Sequence, residues 1–208
     1  MNSSYELFKF LKQKVDLSTF DKYWWPEAGT FTCLISTILG QNTRWQNANK
    51  SIENLKKLNL LSLEKLSSIP KEELIQAITP SGFKNQKSKY IQELCKNIMQ
   101  DFGDFETFKA SVSRDWLLEQ KGIGPESADG ICAYVCFQDE MVVDKYTNNL
   151  LKSFDYEFES YDELKAWLEY GINENYDKIK ELYGSELSLN EIYCKFHGKI
   201  VEYMKKAK

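Results

Sequence analysis

The sequence has little of the glycine and proline that end regular secondary structure, with 10 glycines and 4 prolines among 208 residues. An all-β sandwich or barrel usually needs more turn residues, so this scarcity argues against both fold classes. Basic residues are not in excess, because 27 lysines and arginines stand against 31 acids and leave a net charge of -4. A basic coat over the whole surface is therefore excluded, whereas a local basic face is not.

Histidine and long apolar segments are scarce as well. The single histidine, His197, argues against a histidine-based zinc site and against a Ser-His triad. The longest mostly apolar stretch, residues 31–39, is too short to cross a bilayer, so no membrane partner is predicted. An odd number of cysteines, five, and the absence of a signal-peptide pattern indicate free thiols in a reducing, cytoplasmic compartment.

Helical periodicity is the dominant pattern that the sequence does contain. Apolar residues recur at helical spacing within residues 7–15, 31–39 and 52–58, and no convincing period-2 strand is found. Further helices are predicted over residues 144–153, 161–170, 173–183 and 188–205, with Asn85 and Asp115 as N-caps and Pro125 in a first turn. The pattern predicts an all-α chain of about ten helices in one or two compact units.

One segment, residues 117–128, places two glycines around one apolar residue between a short helix and a longer one. Gly122 and Gly124 allow a tight turn with bare backbone N–H groups, and the helix that follows adds unpaired N–H groups and a partial positive charge. Together these groups can cradle a phosphate while Ile123 packs toward the core. The pattern is that of a helix-hairpin-helix, which binds the DNA backbone without reading sequence; a plain helical turn is the alternative.

A second segment, Met141 to Asp144, places an acid after an apolar run at the expected start of a helix. The structural interpretation of Asp144 is an N-cap. The functional interpretation is a partly buried carboxylate beside a nucleic-acid clamp. Such a group can stabilise an oxocarbenium ion or orient a water for attack.

These motifs resemble those of the helix-hairpin-helix-Gly/Pro-Asp superfamily of DNA base-excision glycosylases, to which endonuclease III belongs. The hairpin at 121–124 and the run 142–144 match its central motifs, and residues 34–43 and 78–87 match two earlier stretches in register. The resemblance implies an all-α, two-lobed fold with a DNA cleft between the lobes. It further implies a helical barrel domain over residues 27–137, with the hairpin at about 115–137, and a second helical domain from residues 1–26 plus 138–208.

Departures from the superfamily pattern indicate the subtype. Endonuclease III carries a sugar-attacking lysine where this sequence has Glu126, and a carboxylate cannot form that imine, so a monofunctional enzyme without strand cleavage is implied. The iron–sulfur cluster of endonuclease III needs four closely spaced cysteines near the C-terminus, where this sequence has only Cys194, so no cluster and no required cofactor are expected. Over nearly the whole chain the motifs resemble those of the cluster-free 3-methyladenine DNA glycosylases III.

This resemblance implies hydrolysis of the N-glycosidic bond of alkylated purines, chiefly 3-methyladenine, in base-excision repair, with Asp144 as the catalytic residue. The base-binding pocket is expected to contain Trp24, Trp25, Pro26, Trp45, Glu126 and Lys199. DNA contacts are expected from Gln41, Lys121, Gly122, Ile123, Gly124 and Lys145, and a monovalent cation at the carbonyls of Leu118, Gln120 and Ile123. The implied partner is double-stranded DNA carrying alkylated purines, bound by a monomer at the cytoplasmic nucleoid.

Several of these assignments have structural alternatives. The tryptophans can be core residues, Gln41 a solvated loop amide and Lys199 a surface lysine. Glu126 can favour the helix dipole, accept a hydrogen bond from the base or pair with Lys199. A buried Lys199 would have its charge disfavoured, which leads to pairing with an acid, loss of a proton or carbamylation. The functional alternatives are a mismatch or oxidised-base glycosylase of the same superfamily and a non-catalytic helix-hairpin-helix binding module.

Overall fold

The all-α prediction is confirmed by the structure, a computed structural model that describes residues 2–184 and 186–206. Within these ranges the regular elements are helical and no strand occurs. None of the helices described is long and apolar enough to cross a membrane. The helices are α1 (Ser4–Lys14), α2 (Phe31–Gly40), α3 (Trp45–Lys57), α4 (Leu63–Ser68), α5 (Lys71–Ala77), a 3-10 helix (Thr79–Ser81), α6 (Lys84–Asp101), α7 (Phe105–Ser111), α8 (Arg114–Leu118), α9 (Pro125–Tyr134), α10 (Lys145–Lys152), α11 (Tyr161–Asn173), α12 (Tyr176–Tyr183) and α13 (Leu189–Lys206).

The chain forms two compact units. One is continuous, Glu27–Cys136, and is called the hairpin unit below. The other is assembled from residues 1–26 and 137–208 and is called the carboxylate unit. The second unit is discontinuous in sequence, since the first helix of the chain packs against α11 and α13.

The hairpin unit is built around α2, which packs against α3, α6 and α9. Thr30 caps this helix because its side chain accepts a hydrogen bond from the Cys33 N–H. Leu34, Ile35 and Ile38 are buried on nearly every side, as the wide apolar stripe in the sequence predicts. A central helix of this kind fixes the positions of the segments at both of its ends.

The carboxylate unit has its core where α1, α11 and α13 meet. Phe8 and Phe196 pack edge to face with ring centroids 5.3 Å apart. Gly171 lets α1 approach α11 closely, because a Cβ at this position would overlap the hydroxyl of Ser4. That hydroxyl donates a hydrogen bond to the Leu168 carbonyl at 2.8 Å, so the two helices are also joined by a buried polar contact.

Some helix boundaries differ from the sequence predictions. The prediction of Asn85 as an N-cap is wrong, since α6 begins at Lys84 after Phe83, which has a left-handed φ of +46°. The prediction of Asp115 as an N-cap is wrong as well, because the hydroxyl of Ser113 caps α8 and places Asp115 in the first turn. The break between the helices predicted over 161–170 and 173–183 lies about three residues later, with α11 ending at residue 173 and α12 beginning at 176. The described residues contain thirteen α-helices rather than about ten.

Candidate active site and nucleic-acid interface

Asp144 lies at the N-terminus of α10 in the carboxylate unit. The buried residues 141–143 lead into it, and it adopts an extended conformation before the helix begins. Its Oδ1 accepts hydrogen bonds from the Thr147 N–H at 2.8 Å and from the Thr147 hydroxyl at 2.9 Å. Asp144 is therefore the N-cap of α10, and its side chain is only 14% exposed.

The second carboxylate oxygen of Asp144 faces His197 of α13, whose Nε2 lies 3.4 Å from Oδ2. Burial tends to raise the pKa of Asp144, but the nearby His197 and the hydrogen bonds from Thr147 outweigh it, so the pKa is lowered. The carboxylate is thus ionised although it is largely removed from water. Sequence reasoning missed this role of His197, because no local pattern pairs it with an acid so far away in the chain.

Trp24 is buried beside the same histidine. Its ring packs edge to face on His197 at 5.3 Å and on Trp25 at 5.8 Å, between centroids. The backbone of Trp24 has a positive φ of 67°, which a bulky residue rarely adopts, and Gly198 leaves room for the indole because a Cβ there would overlap it. Trp25 is half-buried and Pro26 is exposed.

Lys199 is buried in the carboxylate unit, at 5% exposure, so the surface-lysine interpretation is wrong. Its Nζ donates a hydrogen bond to the Val15 carbonyl at 2.5 Å. Burial lowers the pKa of Lys199 to about 8, and the nearby charge of Asp16 opposes this shift only in part. The predicted pairing of Lys199 with Glu126 stays a prediction.

The predicted hairpin connects α8 and α9 in the hairpin unit. Gly122 has a φ of +84°, and a Cβ there would overlap the ring of Tyr90 on α6, so glycine is required both by the backbone and by the packing. Ile123 is 6% exposed and packs inward, as predicted, whereas Lys121 and Gly124 are exposed. The N–H groups that begin α9 therefore lie at the surface.

A buried ion pair joins the two helices of the hairpin. The guanidinium of Arg114 in α8 lies 2.6 Å from Oδ1 of Asp129 in α9, and Asp129 is fully buried. A buried charge needs a close partner of this kind, since removing either member would leave the other uncompensated. The pair holds α8 and α9 in one relative orientation, which in turn fixes the turn between them.

Gln41 is tied to the hairpin. Its side-chain amide donates to the Gly122 carbonyl and to the Ser127 hydroxyl, each at 2.9 Å. The interpretation of Gln41 as a solvated loop amide is therefore wrong. The residue after α2 and the hairpin form one connected surface of the hairpin unit.

Two further residues lie near this surface, and the sequence analysis gave neither of them a role. Lys87 is 2% exposed, and its Nζ donates to the carbonyls of Leu39 and Ser81 and to the hydroxyl of Thr43, which connects the loop after α2 with the 3-10 helix. Burial lowers the pKa of Lys87 to about 8. Phe83, two residues after that 3-10 helix, is 63% exposed. An exposed phenylalanine on a left-handed backbone is uncommon.

The remaining predicted residues lie at the surface or at chain turns. Trp45 begins α3 and is 37% exposed, Lys145 begins α10 and is exposed, and Glu126 is exposed in the first turn of α9. The Gln120 carbonyl accepts the Ile123 N–H at 3.1 Å, and the cation predicted at the carbonyls of Leu118, Gln120 and Ile123 stays a prediction. The described residues hold no cluster of three or more His, Cys, Asp or Glu side chains suited to a metal ion.

Comparison with known proteins identifies the family. Residues 35–174 match the family described as HhH-GPD superfamily base excision DNA repair protein. A putative DNA repair glycosylase of Methanocaldococcus jannaschii is 32% identical over 191 residues, which are 88% of this chain and 80% of that protein. The H. pylori 3-methyladenine DNA glycosylase, solved with 1,N6-ethenoadenine bound, has 43% identity over 99% of both chains and a TM-score of 0.96.

More distant structures share the fold. An endonuclease III trapped as a covalent intermediate with DNA has 17% identity and a TM-score of 0.70 over 98% of this chain and 86% of that one. The chain thus belongs to the HhH-GPD superfamily of base excision DNA repair proteins and is a DNA glycosylase of that superfamily.

Proposed function

We propose that this protein is a monofunctional DNA glycosylase that hydrolyses the N-glycosidic bond of alkylated purines, chiefly 3-methyladenine, in double-stranded DNA. The observation that carries the proposal is the ionised carboxylate of Asp144, held at a helix N-terminus and faced by His197, which in turn packs on Trp24. The 43% identity to a 3-methyladenine DNA glycosylase over 99% of both chains supports the choice of substrate.

The chemistry of the substrate fits a carboxylate without a strong acid. N3-alkylation gives the adenine base a positive charge, so cleavage of the C1′–N9 bond returns its electron pair to the ring and releases a neutral base. The sugar is left as an oxocarbenium ion, which the Asp144 carboxylate stabilises. A water oriented by the same carboxylate adds to C1′ and loses a proton, which leaves an abasic site.

The tryptophans supply the surface for a cationic purine. An aromatic face attracts positive charge, so a flipped 3-methyladenine is held better by indole rings than by aliphatic side chains. Trp24 packs on His197, the residue that faces Asp144, and Trp25 packs on Trp24. Trp45 is exposed at the start of α3. We assign the base-binding role to these three residues, with Pro26 and Lys199 as further members of the pocket.

The hairpin supplies the contact with the DNA backbone. The exposed amides around Gly122 and Gly124 and the first turn of α9 are suited to phosphate oxygens, with Lys121 and Lys145 adding positive charge. Gln41 is held on the same surface and is assigned to the gap that a flipped nucleotide leaves. The exposed ring of Phe83 is assigned to stacking against a DNA base.

Glu126 accounts for the absence of a strand-cleavage step. A lyase of this superfamily attacks the sugar with a lysine amine at this position and forms an imine, which a carboxylate cannot do. The carboxylate lies in the first turn of α9, where a negative charge is favoured by the helix dipole. Base release without strand cleavage is therefore expected.

The proposal is tested by base release from a duplex that contains 3-methyladenine. The wild-type protein should release free base and leave a strand that breaks only after alkali. Asp144→Asn keeps the helix cap but removes the negative charge, so release should fall by about a hundredfold or more. The affinity for the same duplex should remain nearly unchanged.

The controls separate the alternatives. Thermal unfolding of Asp144→Asn shows whether the loss is due to misfolding, and a duplex with a mismatched or oxidised base shows whether the substrate class is wrong. Strand breakage before alkali treatment would contradict the monofunctional assignment. DNA binding without release of any base would favour the binding-module alternative.

A further inference from the structure

The feature of interest is the contact between the single histidine of the chain and the carboxylate assigned to catalysis. The two oxygens of Asp144 have different surroundings: Oδ1 accepts two hydrogen bonds from Thr147, and Oδ2 faces Nε2 of His197 at 3.4 Å. Thr147 belongs to the same helix as the carboxylate, whereas His197 comes from α13. Oδ2 thus faces a residue from a different part of the sequence.

His197 is held in place from several sides. It is 3% exposed, and its neighbours Phe196 and Ile200 on α13 are fully buried. Its imidazole packs edge to face on Trp24, which itself reaches the helix only because residue 198 is a glycine. The imidazole cannot rotate away from Asp144 without disturbing the core, so it is preorganised rather than drawn into place by substrate.

The electrostatics give this contact a chemical consequence. Both roles assigned to Asp144 require the charged carboxylate. Burial disfavours this form and tends to raise the pKa of Asp144. The groups that reverse the effect are His197 from α13 and Thr147 from α10, and the net pKa of Asp144 is lowered. A separation of 3.4 Å is long for a charge-assisted hydrogen bond, and such bonds often shorten when substrate is bound.

We propose that His197 is a positioning residue for base release, which donates its Nε2–H to Oδ2 of Asp144 and holds the carboxylate charged and aimed at the sugar. The proposal rests on the proposed role of Asp144 as the catalytic carboxylate. His197 itself is not assigned a contact with the substrate. It acts through Asp144 and, on its other side, supports the ring of Trp24.

The contact can be tested by NMR, without measuring glycosylase activity. Because the chain has a single histidine, its imidazole resonances need no sequence-specific assignment. Wild-type protein labelled with 15N-histidine is examined by long-range 1H–15N correlation NMR, which reports which ring nitrogen carries a proton. We expect a proton on Nε2 and a clear shift of that resonance in Asp144→Asn. An Nε2 without a proton, or a resonance that does not respond to Asp144→Asn, would overturn the proposal.

The consequence for catalysis is tested with His197→Gln and His197→Leu. Glutamine places an amide N–H near the position of Nε2, whereas leucine fills similar space without a donor. In His197→Leu the acidic limb of the single-turnover rate should move to higher pH, with about a tenfold loss for each pH unit below the new midpoint, because only the charged carboxylate acts. His197→Gln should restore much of the wild-type profile, and DNA affinity should change little in either variant.

A purely structural role for His197 gives a different result. It would lower the rate by one factor at every pH, in parallel with a lower melting temperature, and glutamine would not restore the acidic limb; this result also overturns the proposal. If His197→Leu does not fold, His197→Gln and the NMR measurement still decide. A wild-type protein that releases no base refutes the proposed function alone, since the NMR result then shows separately whether His197 holds Asp144.

Discussion

At the scale of single residues, two buried lysines differ in what their amines can do. Both Lys87 and Lys199 have a pKa lowered to about 8 by burial. The Nζ of Lys87 donates to three oxygens, which uses all of its hydrogens. The Nζ of Lys199 donates to one described partner, the Val15 carbonyl. Of the two amines, that of Lys199 is therefore the one whose lone pair can react when the amine is neutral.

We predict that Lys199 is carbamylated in solution. The neutral amine adds to CO2 through its lone pair and releases one proton, so the modified fraction should rise as the pH approaches 8. Protein equilibrated with 13C-bicarbonate should show one carbamate resonance by 13C NMR. Lys199→Met should abolish it, and the matched variant Lys87→Met should leave it in place. A resonance that survives Lys199→Met would contradict the prediction.

The place of Asp144 at the start of a helix could be predicted from the sequence, whereas its partner on α13 could not. Asp144 follows an apolar run and begins a helix, and both features are local. His197, in contrast, meets Asp144 only because α10 and α13 pack together. No pattern in the sequence predicts the hydrogen bond from Lys199 to the Val15 carbonyl, because the two residues are far apart in the chain.

At the scale of elements, the hairpin contains two glycines that serve different purposes. Gly122 has a left-handed backbone and no room for a Cβ beside Tyr90. Gly124 has an extended backbone, with φ of -97° and ψ of -179°, and nothing lies within 4 Å of the position of a Cβ. The first glycine is needed for folding, while the second keeps the surface bare.

The matched variants Gly122→Ala and Gly124→Ala should therefore separate stability from binding. Gly122→Ala should lower the free energy of unfolding by about 2–4 kcal/mol, from the left-handed φ and the overlap with Tyr90. Gly124→Ala should cost less than about 1 kcal/mol but weaken DNA binding, because its methyl group covers exposed amides. Urea unfolding and fluorescence anisotropy with duplex DNA measure the two effects. Equal losses of stability in both variants would contradict the distinction.

The sequence periodicity predicted that the helices exist, but it predicted the residues at which they begin and end less well. Serine and aspartate are both favourable N-cap residues, so Ser113 and Asp115 were both candidates. The hydroxyl of Ser113 is the group that caps α8. The start of α6 depends on the left-handed turn at Phe83 and on Lys87, which bonds to the 3-10 helix before it. Tertiary contacts of this kind override local preference and leave no pattern in the sequence.

At the scale of the whole molecule, an acidic protein binds an acidic polymer. The net charge is -4 and the sequence pI is about 5.3. The proposed contacts rely on backbone amides of the hairpin and on only two lysines, Lys121 and Lys145. Few counterions should therefore be released when the complex forms.

The dependence of DNA affinity on salt measures this directly. We expect the logarithm of the association constant to fall with the logarithm of salt concentration with a slope of about -2. Lys121→Ala and Lys145→Ala should each reduce the slope by about 1, whereas Lys71→Ala, an exposed lysine at the start of α5, should not. A slope several times steeper would show that other basic residues carry the binding.

The fold class was predictable at this scale because helical periodicity runs through most of the chain. The family followed from four short motifs in a fixed order, which the comparisons confirm. The hydrogen bonds between Gln41 and the hairpin could not be predicted from the sequence, since they join residues from separate segments.

The discontinuous carboxylate unit has a consequence for synthesis on the ribosome. The hairpin unit is complete once residue 136 has emerged, and its contacts can form at once. The carboxylate unit cannot fold until α13 has been synthesised, because that helix supplies His197, Gly198 and part of the core around Phe8. A nascent chain can thus present a phosphate-binding turn well before it can hold a charged Asp144 against His197. The proposed DNA-binding turn can therefore form before α13 completes the surroundings of the proposed catalytic carboxylate.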